Sequence, residues 1–259
     1  MVPRCGRRHW AVRSGAGSWI RNRLTCWTDG GNVKANPRAV VKAGFDKALE
    51  VQYPLAVDNF TRLRRVHPDK SPEELISYLT KIYLGAVAAT GAGAGAAAAV
   101  PNGGVQVPAA FADLLMFLEA SVLYTLSVAE VHGLSVEDVE RRRLLVMSVL
   151  VGNSAATASL EPLIGRTAPY WGRQIVKAIP MTVINKANKV LGPRFVTKYG
   201  VKQGALVLGI QVPFFIGAAV GAGGNGLFGW FIVKAARRIL GPPPKSWDEL
   251  SEPASAQSQ

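Results

Sequence analysis

The sequence predicts an all-α fold: one compact multi-helix domain built around Gly/Ala-rich hydrophobic helical hairpins that are candidates for membrane insertion. Three observations carry this expectation. Apolar residues recur at three- and four-residue spacing from Val40 onward, the pattern of a helix face. Helix start and stop signals punctuate the chain, and no stretch shows the period of two that marks a half-buried strand. Two long stretches, residues 82–112 and 204–233, carry no charge and are rich in small side chains.

The elements follow in order. Residues 1–36 mix Arg, Trp and Gly without a helical period and read as a disordered basic extension. No apolar core follows their basic start, so they are not a secretory signal. Trp10, Trp19 and Trp27 suit a membrane tether, and a translation start at Val33 is the competing reading of the same segment. Pro37 opens a helix carrying Val40, Val41, Phe45 and Leu49, and a second is expected after Pro54. Ser71-Pro72-Glu73-Glu74 is a capping box that starts the next helix. The uncharged run from Ile82 turns at Pro101-Asn102-Gly103-Gly104, giving a hairpin of small side chains. A long apolar helix from Pro108 to His132 ends on Gly133, and Ser135 starts another by capping logic. Short helices between breaks at Pro180, Gly192-Pro193 and Gly200 should fill residues 162–204. One uncharged helix-length stretch, 204–233, follows, and residues 241–259 read as a disordered Pro/Ser-rich tail. The folded domain is thus expected over 37–240.

Charge divides the chain unevenly. The net charge is +13. Residues 46–161 carry nine bases and thirteen acids, whereas residues 162–247 carry twelve bases and no acid. A surface of that kind faces polyanions, either anionic lipid or nucleic acid, or else pairs with the acidic middle of the same chain. Arg166, Arg173, Lys177, Lys186, Lys189, Arg194, Lys198 and Lys202 are the candidate anion-facing residues. Asn185 and Asn188 share their polar face. Tyr170, Trp171, Phe195 and Tyr199 interleave aromatic rings with these bases, which suits a headgroup region.

Motifs that suggest chemistry lack their context. His67-Pro68-Asp69 is the tripeptide of J-domain co-chaperones, but an Ala/Gly-rich hydrophobic segment follows it instead of a short polar helix. Gly221-Ala-Gly223-Gly224-Asn225-Gly226 fits a dinucleotide fingerprint, yet only a Pro-rich tail follows, with no room for the second strand. The better reading of Gly217, Gly221 and Gly226 is close helix packing. Glu119 and Glu130 share a helix face and are the only catalytic candidates, in a carboxylate-dependent hydrolase. Salt bridges from these acids to Arg141–Arg143 or to the basic C-terminal half are the structural alternative. Cys5 and Cys26 are the two cysteines, with three histidines in the chain; no metal site or cofactor is expected from them.

The order of features resembles the EcsC family of bacterial proteins. The resemblance lies in the Ala/Gly-rich turn Ala89–Ala99 with Val100-Pro101, the helix end Glu130-Val131-His132-Gly133, and the spacing from Pro213 through Gly217 and Gly221 to Asn225. It covers roughly Arg62 to Ala236, and the Ala, Gly and Arg bias is similar to a high-GC actinobacterial branch. The resemblance implies helical architecture and membrane association, not a reaction. The expectation is therefore a non-enzymatic membrane-associated accessory protein at the cytoplasmic side, peripheral or integral, whose partner is anionic lipid or a membrane protein. A soluble cytoplasmic protein is the alternative location, and a nucleic-acid-binding module a weaker alternative function.

Overall fold

The computed structural model describes residues 37–98, 103–152, 179–208 and 214–250, with single positions at 156, 161, 172 and 175. The described helices belong to one compact unit, Asn36–Gln259. The extension carrying Trp10, Trp19 and Trp27 lies outside the described residues. Six α-helices follow in order, and no strand occurs among the described residues: α1 Pro37–Val66, α2 Pro72–Ala98, α3 Gly103–Val131, α4 Val139–Val151, α5 Met181–Leu208 and α6 Phe214–Leu240. A 3₁₀ turn, Asp248–Leu250, is the last element among the described residues.

α1 is one helix where two were expected. Pro54 sits inside it. A proline removes the hydrogen bond to the carbonyl four residues earlier, here that of Glu50. Glu50 is exposed, so water reaches that side of the helix. The opposite side, Val41, Phe45, Leu49, Ala56 and Leu63, is buried without interruption. Burial of that apolar row on both sides of Pro54 outweighs one lost bond, because each fully buried large side chain contributes about 1.5–3 kcal/mol.

The turn to α2 forms as its sequence dictates. The Ser71 backbone N–H donates to Glu74 Oε2 at 2.8 Å, and the Glu74 N–H donates to Ser71 Oγ at 3.3 Å. This reciprocal pair satisfies two of the donors left open at a helix start. α2 and α3 make the small-residue hairpin, with α3 beginning at Gly103. α3 closes on Gly133 at φ +68°. There the Leu134 N–H reaches Ala129 O at 2.9 Å and the Gly133 N–H reaches Glu130 O at 2.9 Å, a Schellman cap.

α4 begins later than expected. Asp138, not Ser135, is its N-cap, accepting from the Arg141 N–H at 2.9 Å. The Ser135 hydroxyl instead donates to Glu130 Oε2 at 2.9 Å. α5 passes through Gly192-Pro193 and Gly200, so these are not breaks. Gly192 has no Cβ to collide with the ring of Pro193, which is what makes the helical conformation accessible before a proline. The uncharged stretch 204–233 is likewise divided: its first part ends α5, and Phe214 opens α6.

α3 lies at the centre, packed against α1, α2 and α5, while α2 and α6 form the most extensive helix pair. Phe117, Leu118, Val122, Leu126 and Val131 of α3 are buried in that core. The tail expected to be disordered from residue 241 is docked as far as Leu250. The Trp247 indole N–H donates to Lys70 O at 2.8 Å. Its ring lies 6.0 Å from Phe60 and 3.7 Å below the Arg64 guanidinium.

Candidate membrane-facing surface

α2 and α6 run antiparallel. Arg237 Nη2 lies 3.2 Å from Glu73 Oε1 near one end of the pair. Further along, Gly229 faces Tyr83, Leu84 and Val87. A Cβ at Gly229 would lie 2.9 Å from Val87 Cγ2 and 3.2 Å from Leu84 Cδ2, so the two backbones approach only because that position is glycine. The charges of both helices therefore gather at one end. α2 carries none after Lys81, and α6 none before Lys234. Their uncharged halves run side by side.

Where charge resumes, α6 exposes large apolar groups. Leu227 is 55% exposed, Trp230 47% and Phe231 51%. On α2, Ile82 is 52% exposed beside Lys81. The Trp230 and Phe231 rings meet edge-on at 5.3 Å, and Lys234 Nζ stands 4.8 Å over the Trp230 ring. Leu227, Trp230, Phe231, Lys234 and Arg238 fall on one face at helical spacing. Along the axis the order is apolar, aromatic, cationic, the sequence of environments from hydrocarbon through the interface to the headgroups.

Two windows, Pro72–Ala96 and Ala112–Val131, are long and apolar enough to cross a membrane. They differ in surroundings. The second is 72% buried inside the protein, as the central helix of the bundle; the first is only 33% buried.

The expected basic face divides. Lys186, Lys189 and Arg194 are exposed on α5. Lys198 is not anion-facing. Its ammonium donates to Leu150 O at 2.8 Å and Val151 O at 3.0 Å, closing the C-terminus of α4. Those carbonyls are left open by the helix and carry its negative dipole end. Burial lowers the Lys198 pKa. Asn188 also turns inward, donating to Glu140 O at 2.9 Å and Glu140 Oε2 at 2.8 Å. Asn185 stays exposed. Arg166, Arg173 and Lys177 lie outside the described residues, and Lys202 is placed only by its helix backbone.

The packing glycines need correction. Gly226 is not at a close contact: a Cβ there would meet nothing within 4 Å. The tight contact is at Gly229, one i+4 step beyond Asn225 in the row that begins at Gly217 and Gly221. Gly217 and Gly221 lie in α6, with their surroundings outside the described residues. Asn225 is buried in that row, donating to Asp113 Oδ1 at 2.7 Å and tying α6 to α3.

The carboxylates do not gather into a reactive group. Glu130 is 7% exposed and accepts from Ser135. Burial raises its pKa, with the Ser135 hydrogen bond opposing. Glu119 is half-buried three turns earlier. The arginines expected as partners are engaged elsewhere. Arg141 donates to Ile175 O. Arg142 is buried, donating to the carbonyls of Val136, Leu49 and Glu137 while lying 3.8 Å from the Tyr53 ring. Arg143 pairs with Asp46 and Glu140. Among the described residues no three His, Cys, Asp or Glu side chains are grouped to hold a metal ion. His67-Pro68-Asp69 forms the α1–α2 turn, with the His67 ring edge-on to Tyr78 at 5.1 Å.

Comparison with protein-family models, curated proteins and solved structures finds no match. The aromatic–cationic edge of α6 was missed in the sequence because the uncharged stretch was read as one unit. The signal was present as Leu227, Trp230, Phe231 and Lys234 at i, i+3, i+4 and i+7.

Proposed function

We propose that this chain is a non-catalytic, membrane-associated accessory protein that dips the uncharged end of its α2/α6 pair into one leaflet of an anionic bilayer. The observation that carries the reading is the antiparallel register, which collects the uncharged halves at one end and rings them with Ile82, Trp230, Phe231, Lys81 and Lys234. From Ile82 to Ala98, α2 rises about 25 Å at 1.5 Å per residue, enough to carry its uncharged half into the ~30 Å of hydrocarbon. The EcsC-like order of motifs supports the same association, and that resemblance rests on the sequence alone. Lys234, Arg237 and Arg238 after the apolar half favour the cytoplasmic side.

The test is flotation of the full chain with phosphatidylglycerol/phosphatidylethanolamine vesicles. The expected result is binding that survives 1 M salt, because buried apolar area rather than charge holds the protein. The double variant Trp230→Ser/Phe231→Ser should reduce the bound fraction at least tenfold, its fold intact because both side chains are exposed. Failure of the wild-type protein to float, or full release by salt, overturns the reading.

A further inference from the structure

A cleft of about 460 Å³ opens between α1, α4 and α5, away from the residues assigned to the membrane. That volume lies within the range of small-molecule sites, about 300–1,000 Å³. Its walls divide by chemistry. Phe45, Met147, Phe195 and Val196 supply an apolar lining. Arg38, Lys42, Arg143 and Lys189 supply four cations against one acid, Asp46. Asp46 is shared between Lys42, at 3.2 Å, and Arg143, so a single carboxylate serves two cations. Glu140, outside the lining, lies 3.4 Å from Arg143 Nε. Even leaving Arg38 aside, Lys42, Arg143 and Lys189 outnumber the two acids. Lys189 has no ion-pair partner among the described residues.

Two polar atoms of lining residues also lack a hydrogen bond within the protein. Arg143 Nε is buried without an acceptor at hydrogen-bonding geometry, and Asn188 Oδ1 is buried without a donor. The orientation of the Asn188 amide is fixed, because its nitrogen donates to two oxygens of Glu140. Both atoms are covered by protein, so they belong to the wall of the cleft and not to its open surface.

We propose that this cleft binds an anionic amphiphile, an acyl or alkyl chain ending in a phosphate monoester or a similar hydroxylated anion. The chain lies along Phe45, Met147, Phe195 and Val196. The anion meets Lys189, Lys42 and Arg143. The site does not depend on insertion of α2 and α6.

The probe is decyl phosphate, titrated below its micellar concentration into the full-length protein by calorimetry, with decanol and inorganic phosphate as comparisons. The expected result is one saturable site for decyl phosphate, at least tenfold tighter than for either comparison. Lys189→Glu should weaken it tenfold or more. Thr197→Trp, at an exposed position on the lining, should block it by bulk. Both positions are exposed, and circular dichroism checks that each variant keeps its helices. A second arm offers phosphatidic acid in vesicles to Trp230→Ser/Phe231→Ser, which should not dock. Decyl phosphate binding with no lipid uptake identifies a free amphiphile as the source, and uptake identifies membrane lipid; either supports the site. No decyl phosphate binding, equal binding of decanol, or wild-type affinity in Thr197→Trp overturns it.

Discussion

Glu130 shows how one buried side chain couples the fold to pH. Burial holds its carboxyl above the ordinary range, so the folded protein binds that proton more tightly than the unfolded chain. The associated stability is fully present below the ordinary carboxyl pKa, about 4.3, and is lost as pH rises through the elevated value. In Glu130→Gln the amide oxygen still accepts from Ser135, and this proton dependence disappears. Thermal melts of the two proteins at a series of pH values should show wild type losing ground to the variant as pH rises from 4 toward 7. Parallel curves would mean that Glu130 titrates normally. That two acids lie on one face of α3 was legible from their spacing. Their partners were not, because Ser135, Arg141, Arg142 and Arg143 all follow within a few residues and only the Schellman turn decides which one swings back. Lys198 carries the same lesson: i, i+4 spacing with Lys202 placed it on a polar face, but the end of α4 supplies two open carbonyls that no local pattern reveals.

At the scale of elements, the helix starts and stops were legible wherever a side chain caps its own backbone. Ser71 with Glu74 and Gly133 behave as their local chemistry requires. Proline and glycine inside helices misled, because a rule about local cost says nothing of what packing returns; Pro54 and Gly192-Pro193 both lie within continuous helices. The small-residue row of α6 was recognised, but its working member lies one step further along. Gly229→Leu drives a side chain into Val87 and Leu84. Overpacking costs about 1–3 kcal/mol, partly offset by the ~1 kcal/mol gained on removing a helical glycine. A fall in Tm of roughly 2–6 °C is expected. Gly226→Leu, facing open space, should leave Tm unchanged or raise it. If both variants melt alike, the close approach of α2 and α6 is not fixed at Gly229.

For the whole molecule, fold class followed from periodicity because the six fully described helices share one buried core. The uncharged end of the α2/α6 pair was only half legible: its lack of charge was plain, but the antiparallel register that aligns two such halves is a property of tertiary pairing. Docking of the turn Asp248–Leu250 was not legible at all. A Pro-rich segment gives no period; His132 holds its first carbonyl, Leu250 packs at Gly133, and Trp247 is its large aromatic anchor. Trp247→Ala removes the bond to Lys70 O and the packing on Phe60 and Arg64. A loss of about 2–3 kcal/mol is expected in denaturant unfolding, below the 3–5 kcal/mol of a fully buried aromatic because the ring is only partly covered. A change under 0.5 kcal/mol would show that the turn is merely adjacent.

The pairing of α2 with α6 also sets a timetable for synthesis. Val87 leaves the ribosome long before Gly229, its partner in the closest contact of the pair. At translation rates of 5–20 residues per second the interval is about 7–28 s. Throughout it the nascent chain shows an uncharged, Ala/Gly-rich helix without its cover. Such a segment must be shielded by a chaperone or rested on a lipid surface while it waits; on the function proposed above the lipid surface serves, and membrane contact then begins during translation, before the protein is complete.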